Sequence, residues 1–396
     1  MEVRCLKCKG RLFCGRRVCP IRAKVNSQKK VNLNSKQDFF GKTPNIFVGR
    51  YGYPNVNVGI LGAEEYNDND NIPLWSKEQF GIGKIIDLRT QLVNSRFSVD
   101  VKSFSNKFLE LSQEVSMASK PADMEINLVR RPEFTLNMSQ DVTPYGANVS
   151  LKKARLTENV KVPTKIQKVV DDIDFKAADA LKQLYKKDFD EHYLTRLFSL
   201  GNLGVKTQRK IVPTRWSITA VDDTLGKGLI KQVKDYNNNL GYNVYSGSHL
   251  GNYYLILTFP DVWSYELFET HVTSKGYTTD CEGYTGRKTY AQETAGGYYT
   301  VRLAILEKLL GMKRQAKVIA LRFITNEYWA PLGVWVTREA ARNAMNSKPI
   351  EFSDRELMVK YVKALVRKKF GYDVNHILNN SILLKDVKTQ KKLWEF

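Results

Sequence analysis

Four cysteines fall within fifteen residues at the amino end: Cys5, Cys8, Cys14 and Cys19, spaced C-x2-C-x5-C-x4-C. Four sulfurs gathered by short loops suit a tetrahedral soft-metal centre. Zn²⁺ bonding there would supply folding energy that so basic a stretch cannot draw from an apolar core. An iron–sulfur cluster competes, because Cys19-Pro20 ends the run as in ferredoxins, although the other spacings differ. The fifth cysteine, Cys281, stands alone and reads as an ordinary thiol. Asp222 and Asp223 are the candidate catalytic carboxylates: with Arg215 clamping a phosphate, they could hold Mg²⁺ for phosphodiester chemistry. The same Asp-Asp ahead of Gly226 is also ordinary strand-end punctuation. Arg50, between aromatic residues, and Arg215 are candidate phosphate-binding groups, and Trp216 is a candidate surface for a stacked base. Arg50 would serve equally as a structural arginine that pins its turn.

The elements that must position these groups read as α+β, with no internal repeat. Residues 26–45 are polar and mixed, a link between the cysteine knuckle and the body. Phe47–Gly59 reads as strand–turn–strand, its glycines marking a close backbone approach. Asp174–Leu200 reads as one helix with Ala177, Leu181, Leu184 and Tyr185 on a stripe. Lys210–Asp223 has strand character, Tyr253–Phe259 is a buried strand, and Tyr299–Leu310 is a helix buried nearly all round. Lys317–Thr325 and Leu332–Val336 read as further strands. Ser353 and Glu356 form a capping box that opens a helix with Leu357, Tyr361 and Leu365 on its apolar side, ended by Gly371. The organisation expected is a knuckle over 1–25, an N-terminal region over 26–280, a C-terminal region over 281–385 and a tail over 386–396.

Charge narrows the partners. Sixty-two Lys and Arg against 41 Asp and Glu leave +21 on 396 residues, and residues 1–30 alone carry ten basic side chains and one acid. Such a surplus attracts polyanions, nucleic acid first. No long apolar span supports a membrane, and Met1-Glu2-Val3-Arg4 lacks the core of a signal peptide, so the chain reads as intracellular, cytoplasmic and nucleoid-associated. Gly41-Lys42-Thr43 has the ending of a P-loop, but Lys36 stands where its first glycine belongs, so nucleotide hydrolysis by that route is excluded. The four histidines, His192, His249, His271 and His376, are not spaced as metal pairs.

At the carboxyl end, Gln390, Leu393 and Phe396 fit Q-x-x-L-x-x-F, with Trp394 beside them. One 3₁₀ turn would put Leu393 and Phe396 on one side while Gln390 reaches a polar pocket. That is the pattern that docks on the sliding clamp PCNA, here without its usual second aromatic. The knuckle, F-V-G-R-Y-G-Y-P-N-V-N-V-G at 47–59, V-P-T-R-W-S-I-T-A-V-D-D at 212–223, E-T-A-G-G-Y-Y at 293–299, Y-W-A-P-L-G-V-W at 328–335 and the tail together resemble the archaeal Nre proteins (NreA type). The resemblance covers essentially the whole chain. It implies DNA damage repair in cooperation with PCNA, two conserved regions, and a clamp-binding role for Gln390, Leu393 and Phe396. It carries no catalytic residues, so two rivals stay open: an enzyme (a metal-dependent nuclease, or one acting on damaged bases or nucleotides) and an RNA-binding or RNA-modifying protein.

Overall fold

The computed structural model describes residues 7–8, 11–13, 18–32, 36–103, 105–133 and 145–389. It is a mixed α+β protein. Two compact units divide it, one of Met1–Leu225 with Trp329–Leu332, the other of Gly226–Tyr328 with Gly333–Phe396.

In the first unit β1 (Asp38–Val48), β2 (Asn55–Ala63), β3 (Val93–Asp100), β4 (Ala122–Leu128) and β5 (Asn148–Leu156) close a barrel in the order β1-β2-β3-β5-β4. All neighbours run antiparallel except β3 and β5. Alternation decides what points inward: Ala122, Met124, Ile126 and Leu128 of β4 are buried while the residues between them are not. With Val48, Val56, Val58, Ile60, Phe97 and Val99 they fill the barrel. β1 pairs with both β2 and β4, and its register shifts between Lys42 and Asn45 as the strand bends from one neighbour to the other. Helix α1 (Pro20–Asn32) precedes the barrel, α2 (Ile72–Lys77) and α3 (Ile82–Thr90) lie between β2 and β3, and α4 (Lys107–Met117) joins β3 to β4. Asn106 caps α4 by accepting from the Phe108 and Leu109 amides. This strand order, with its single parallel pair, is the connectivity of the five-stranded OB-type barrel.

One buried ion pair holds the insertion to the barrel. Arg89 and Asp70 meet at 3.1 Å with side chains only 3% and 2% exposed. The Arg89 guanidinium lies against the rings of Trp75 and Tyr145, at 5.0 and 5.3 Å from their centroids. The second Asp70 oxygen accepts from Asn45 of β1 at 2.8 Å, and Arg89 Nη1 donates to the Leu332 carbonyl at 2.8 Å. That last bond secures residues 329–332 within the first unit.

Downstream come α5 (Thr164–Asp171), α6 (Ala177–Tyr185), α7 (Glu191–Ser199) and α8 (Thr214–Val233). Three expectations are corrected here. The single helix over 174–200 is broken: Asp188 takes φ +66°, and Asp190 caps a new helix by accepting from the Tyr193 amide. Lys210–Asp223 is no strand, because α8 starts right after Pro213. Ser217, Val221, Leu225 and Leu229 are buried at every fourth residue, a helical period that the β-branched residues Ile218, Thr219 and Val221 obscured. The link expected over 26–45 is also shorter, since α1 runs to Asn32 and β1 begins at Asp38.

The second unit is a six-stranded sheet in the order β11-β6-β7-β10-β8-β9, made of β6 (Tyr242–His249), β7 (Asn252–Phe259), β8 (Ser264–His271), β9 (Tyr277–Glu282), β10 (Lys317–Ile324) and β11 (Ile350–Phe352). One face, with Leu255, Leu257, Phe268, Ile319, Leu321 and Phe323, is apolar. The other packs on α9 (Gly296–Met312) and α10 (Trp335–Asn346), where Arg302 meets Glu282 at 2.8 Å with both side chains buried. Gly247 lets α10 approach: a Cβ there would lie 2.4 Å from the Ala344 nitrogen.

Helices α11 (Arg355–Phe370), α12 (Asn375–Asn380) and α13 (Ile382–Thr389) cover the apolar face. Asp354, not Ser353, caps α11 by accepting from the Leu357 amide at 2.8 Å. Its buried stripe is accordingly Met358, Val362 and Val366, with Leu357 49% exposed. Leu332–Val336 is not a strand but the turn into α10, with Gly333 at φ +109°.

Replacing Arg89 by Met strands the Asp70 carboxylate and should cost about 3–5 kcal/mol. Urea unfolding measures this, and a loss under about 1 kcal/mol would show that the pair does not hold the first unit together.

Candidate nucleic-acid interface

Two sequence motifs some 160 residues apart meet at one end of the barrel. The first is the β1–β2 connection, residues 49–54. Gly52 turns it at φ +85°, and a Cβ there would also sit 2.7 Å from the Asn55 carbonyl. Gly49 N donates to Asn57 O at 2.8 Å, closing the hairpin. The Pro54 carbonyl accepts from Val101 N just past β3 at 3.0 Å, and the Val101 carbonyl in turn accepts from Ile211 N at 2.9 Å.

The second motif, residues 211–216, is fixed by its backbone and two hydroxyls. Val212 N donates to Ser199 O, and Ser199 Oγ donates to Val212 O at 2.7 Å. The Val48 amide at the end of β1 donates to Thr214 Oγ1 at 2.9 Å. The first turn of α8 therefore stands beside the hairpin loop, and the Tyr53 and Trp216 rings touch at 5.3 Å, tilted by 53°.

The result is an exposed aromatic ledge on chain segments that also carry exposed cationic residues. Tyr51 is 79% exposed, Tyr53 48% and Trp216 45%. Arg50 lies over the Tyr51 ring at 5.3 Å. Arg50, Lys102, Lys210 and Arg215 are all exposed, and none has a carboxylate partner among the described residues. Other basic groups are engaged elsewhere. Arg209 donates to the Gly204, Val170 and Asp172 carbonyls, and burial holds its pKa below the usual guanidinium range. Lys42 and Arg155 pair with Asp123 and Glu125.

Arg50, Arg215 and Trp216 are thus gathered, and the carboxylates are not. Asp222 lies seven residues along α8 from Arg215 and is wholly buried, while Asp223 is half-buried. Adjacent helical residues diverge by about 100°, so the two acids do not face one pocket as a pair. Sequence reasoning passed over Tyr51, Tyr53 and Lys102. The signal for the tyrosines was their place on either side of a turn glycine. Lys102 carried none, because only the barrel brings the end of β3 to this loop.

At the amino end Cys8 is buried and Cys19 half-buried ahead of α1. Cys5 and Cys14 lie outside the described residues, and among the described residues no group of three His, Cys, Asp or Glu side chains could hold a metal ion. Gln390, Leu393, Trp394 and Phe396 also lie outside the described residues. Residues 386–389, read as the start of the tail, complete α13. No helix of the described residues is long and apolar enough to cross a membrane.

Comparison with known proteins agrees with the motifs. The family model described as Archaeal Nre, N-terminal, matches residues 13–278, and Archaeal Nre, C-terminal, matches 282–396. The chain belongs to the archaeal Nre family. It is 33% identical to DNA repair protein NreB of Archaeoglobus fulgidus over 99% of each chain. It is 37% identical to DNA repair protein NreA of Haloferax volcanii over 80% of this chain and 79% of that one. With DNA repair protein NreA of Archaeoglobus fulgidus the identity is 35% over 89% and 91%. No solved structure matches.

Thr214 should be tested by Thr214→Val, which strips the buried Val48 amide of its acceptor and should cost about 1–3 kcal/mol. Thermal unfolding reads the loss; Thr214→Ser, which keeps the hydroxyl, should restore most of it.

Proposed function

We propose that this protein is a DNA repair factor that meets DNA through the cationic ledge of its barrel and is tethered to the sliding clamp PCNA by residues 390–396. One observation carries the reading: exposed Arg50, Lys102, Lys210 and Arg215, without carboxylate partners among the described residues, lie on the adjoining segments that present three exposed rings. The chain bearing them is 33–37% identical to proteins named for DNA repair. A net charge of +21 supports it, since counterion release from DNA rewards every phosphate neutralised.

The tail and the body divide the work. Gln390, Leu393, Trp394 and Phe396 give a short peptide for the clamp. Tethering raises the local concentration of the body at DNA to about the millimolar range, which offsets a weak peptide contact. The body then holds phosphates without reading sequence. Cys5, Cys8, Cys14 and Cys19 would hold Zn²⁺ as a structural site, the thiolates supplying the folding energy of the basic amino end.

The test has two arms on the full chain. In DNA-binding titrations across a salt series, Arg50→Ala with Arg215→Ala should reduce the slope of log K against log salt by about 1 to 2. In calorimetry with purified clamp, the heat of binding should vanish in the Leu393→Ala, Phe396→Ala variant. An unchanged slope removes the ledge from DNA binding, and unchanged heat removes the tail from the clamp.

A further inference from the structure

The ledge carries more than a phosphate site needs. Phosphates are held by cations and backbone amides, and three exposed rings add nothing to that contact. They gain only from bases whose faces are free, and in a duplex those faces are covered by neighbouring base pairs. Base–aromatic stacking is sequence-tolerant and worth about 1–3 kcal/mol per base. The 53° tilt between Tyr53 and Trp216 leaves their faces unspent on one another.

The surrounding strands point the same way. In barrels of this connectivity, oligonucleotides lie across the outer face of the second and third strands and the loop between the first and second. Here that loop is the one bearing Arg50, Tyr51 and Tyr53. The outer face continues from it as Asn55 and Asn57 of β2, exposed, with Asp100 of β3 opposite Asn55 and Ser98 opposite Asn57. Two amides and a hydroxyl suit unpaired base edges, and the one carboxylate among them, Asp100, already accepts from the Lys102 amide at 2.8 Å.

We infer that this end of the barrel takes single-stranded DNA, unpaired bases stacking on Tyr51, Tyr53 and Trp216 while the four cations hold the phosphates. The inference rests on the DNA-binding reading above and names the strand form that this site accepts.

Fluorescence anisotropy of the full chain decides it, using an oligothymidylate of roughly 12 nucleotides and a duplex of equal length at one ionic strength. The wild type should bind the single strand about tenfold or more tightly than the duplex. The Y51A/Y53A/W216A variant should lose about 10- to 100-fold for the single strand and leave duplex affinity within about twofold. Y51F/Y53F/W216F, which keeps the rings, should match the wild type and so control for folding. Equal binding of both forms, or an equal loss for both in the alanine variant, overturns the single-strand assignment and leaves DNA binding standing. Tighter binding of oligouridylate than of oligothymidylate overturns DNA as the ligand. Failure to bind any of these probes ends the DNA-binding reading itself.

Discussion

The parallel pairing of β3 with β5 is what makes the first unit a closed barrel rather than a curled sheet. Closure removes free strand edges and fixes the tilt of every strand. It also fixes where the connections emerge. The β1–β2 loop leaves next to the end of β3, and the Pro54, Val101 and Ile211 backbones then form one hydrogen-bonded seam. The Val48–Thr214 bond adds the start of α8 to that seam. The aromatic ledge is therefore held by backbone geometry, while its own side chains stay exposed.

The protein treats its charges in two ways. Inside, several arginines are matched with carboxylates: Arg89 with Asp70, Arg302 with Glu282, and Arg322 with Glu269 at 2.7 Å. A buried ion pair compensates itself and projects little field, so its contribution is to geometry more than to net stability. The surplus of +21 cannot be accommodated in that way and lies where water and salt can screen it. This is why a strongly basic chain can have charged groups in both cores and still present an uncompensated cationic surface.

The two conserved regions of the family are not the two compact units. The family boundary between residues 278 and 282 falls within β9, so β6, β7 and β8 belong to one region and β10 and β11 to the other, yet they form one sheet. Conversely, residues 329–332 of the C-terminal region belong to the first unit, where Arg89 holds the Leu332 carbonyl. The barrel core is built from the N-terminal region alone, but the core of the sheet takes residues from both regions, which gives a physical reason for their occurrence in one chain.

Periodicity and turn chemistry were enough for much of the fold. The alternating or unbroken apolar runs of β2, β7 and β10 and the all-round apolar α9 are local patterns, and the glycines at 49 and 52 announce the hairpin whatever else is present. The misread segments share one cause. At 210–223 β-branched residues sit in a helix, because burial at every fourth position along α8 outweighs their strand preference. At 332–336 the carbonyl a strand would place in a ladder goes to Arg89 instead. At Ser353 and Asp354 two capping residues compete, and packing of Met358, Val362 and Val366 against the sheet chooses between them.

The same division runs through the site. Sequence alone determined the cationic surplus, the family, and the pairing of arginine with aromatic residues in two short motifs, since these depend on residue type and spacing along the chain. Only tertiary structure decided that the two motifs share one ledge, that Lys102 joins them, and that Asp222 stays inside. Those facts depend on barrel closure and on the direction in which α8 leaves, and such long-range geometry leaves no mark in a local stretch of residues.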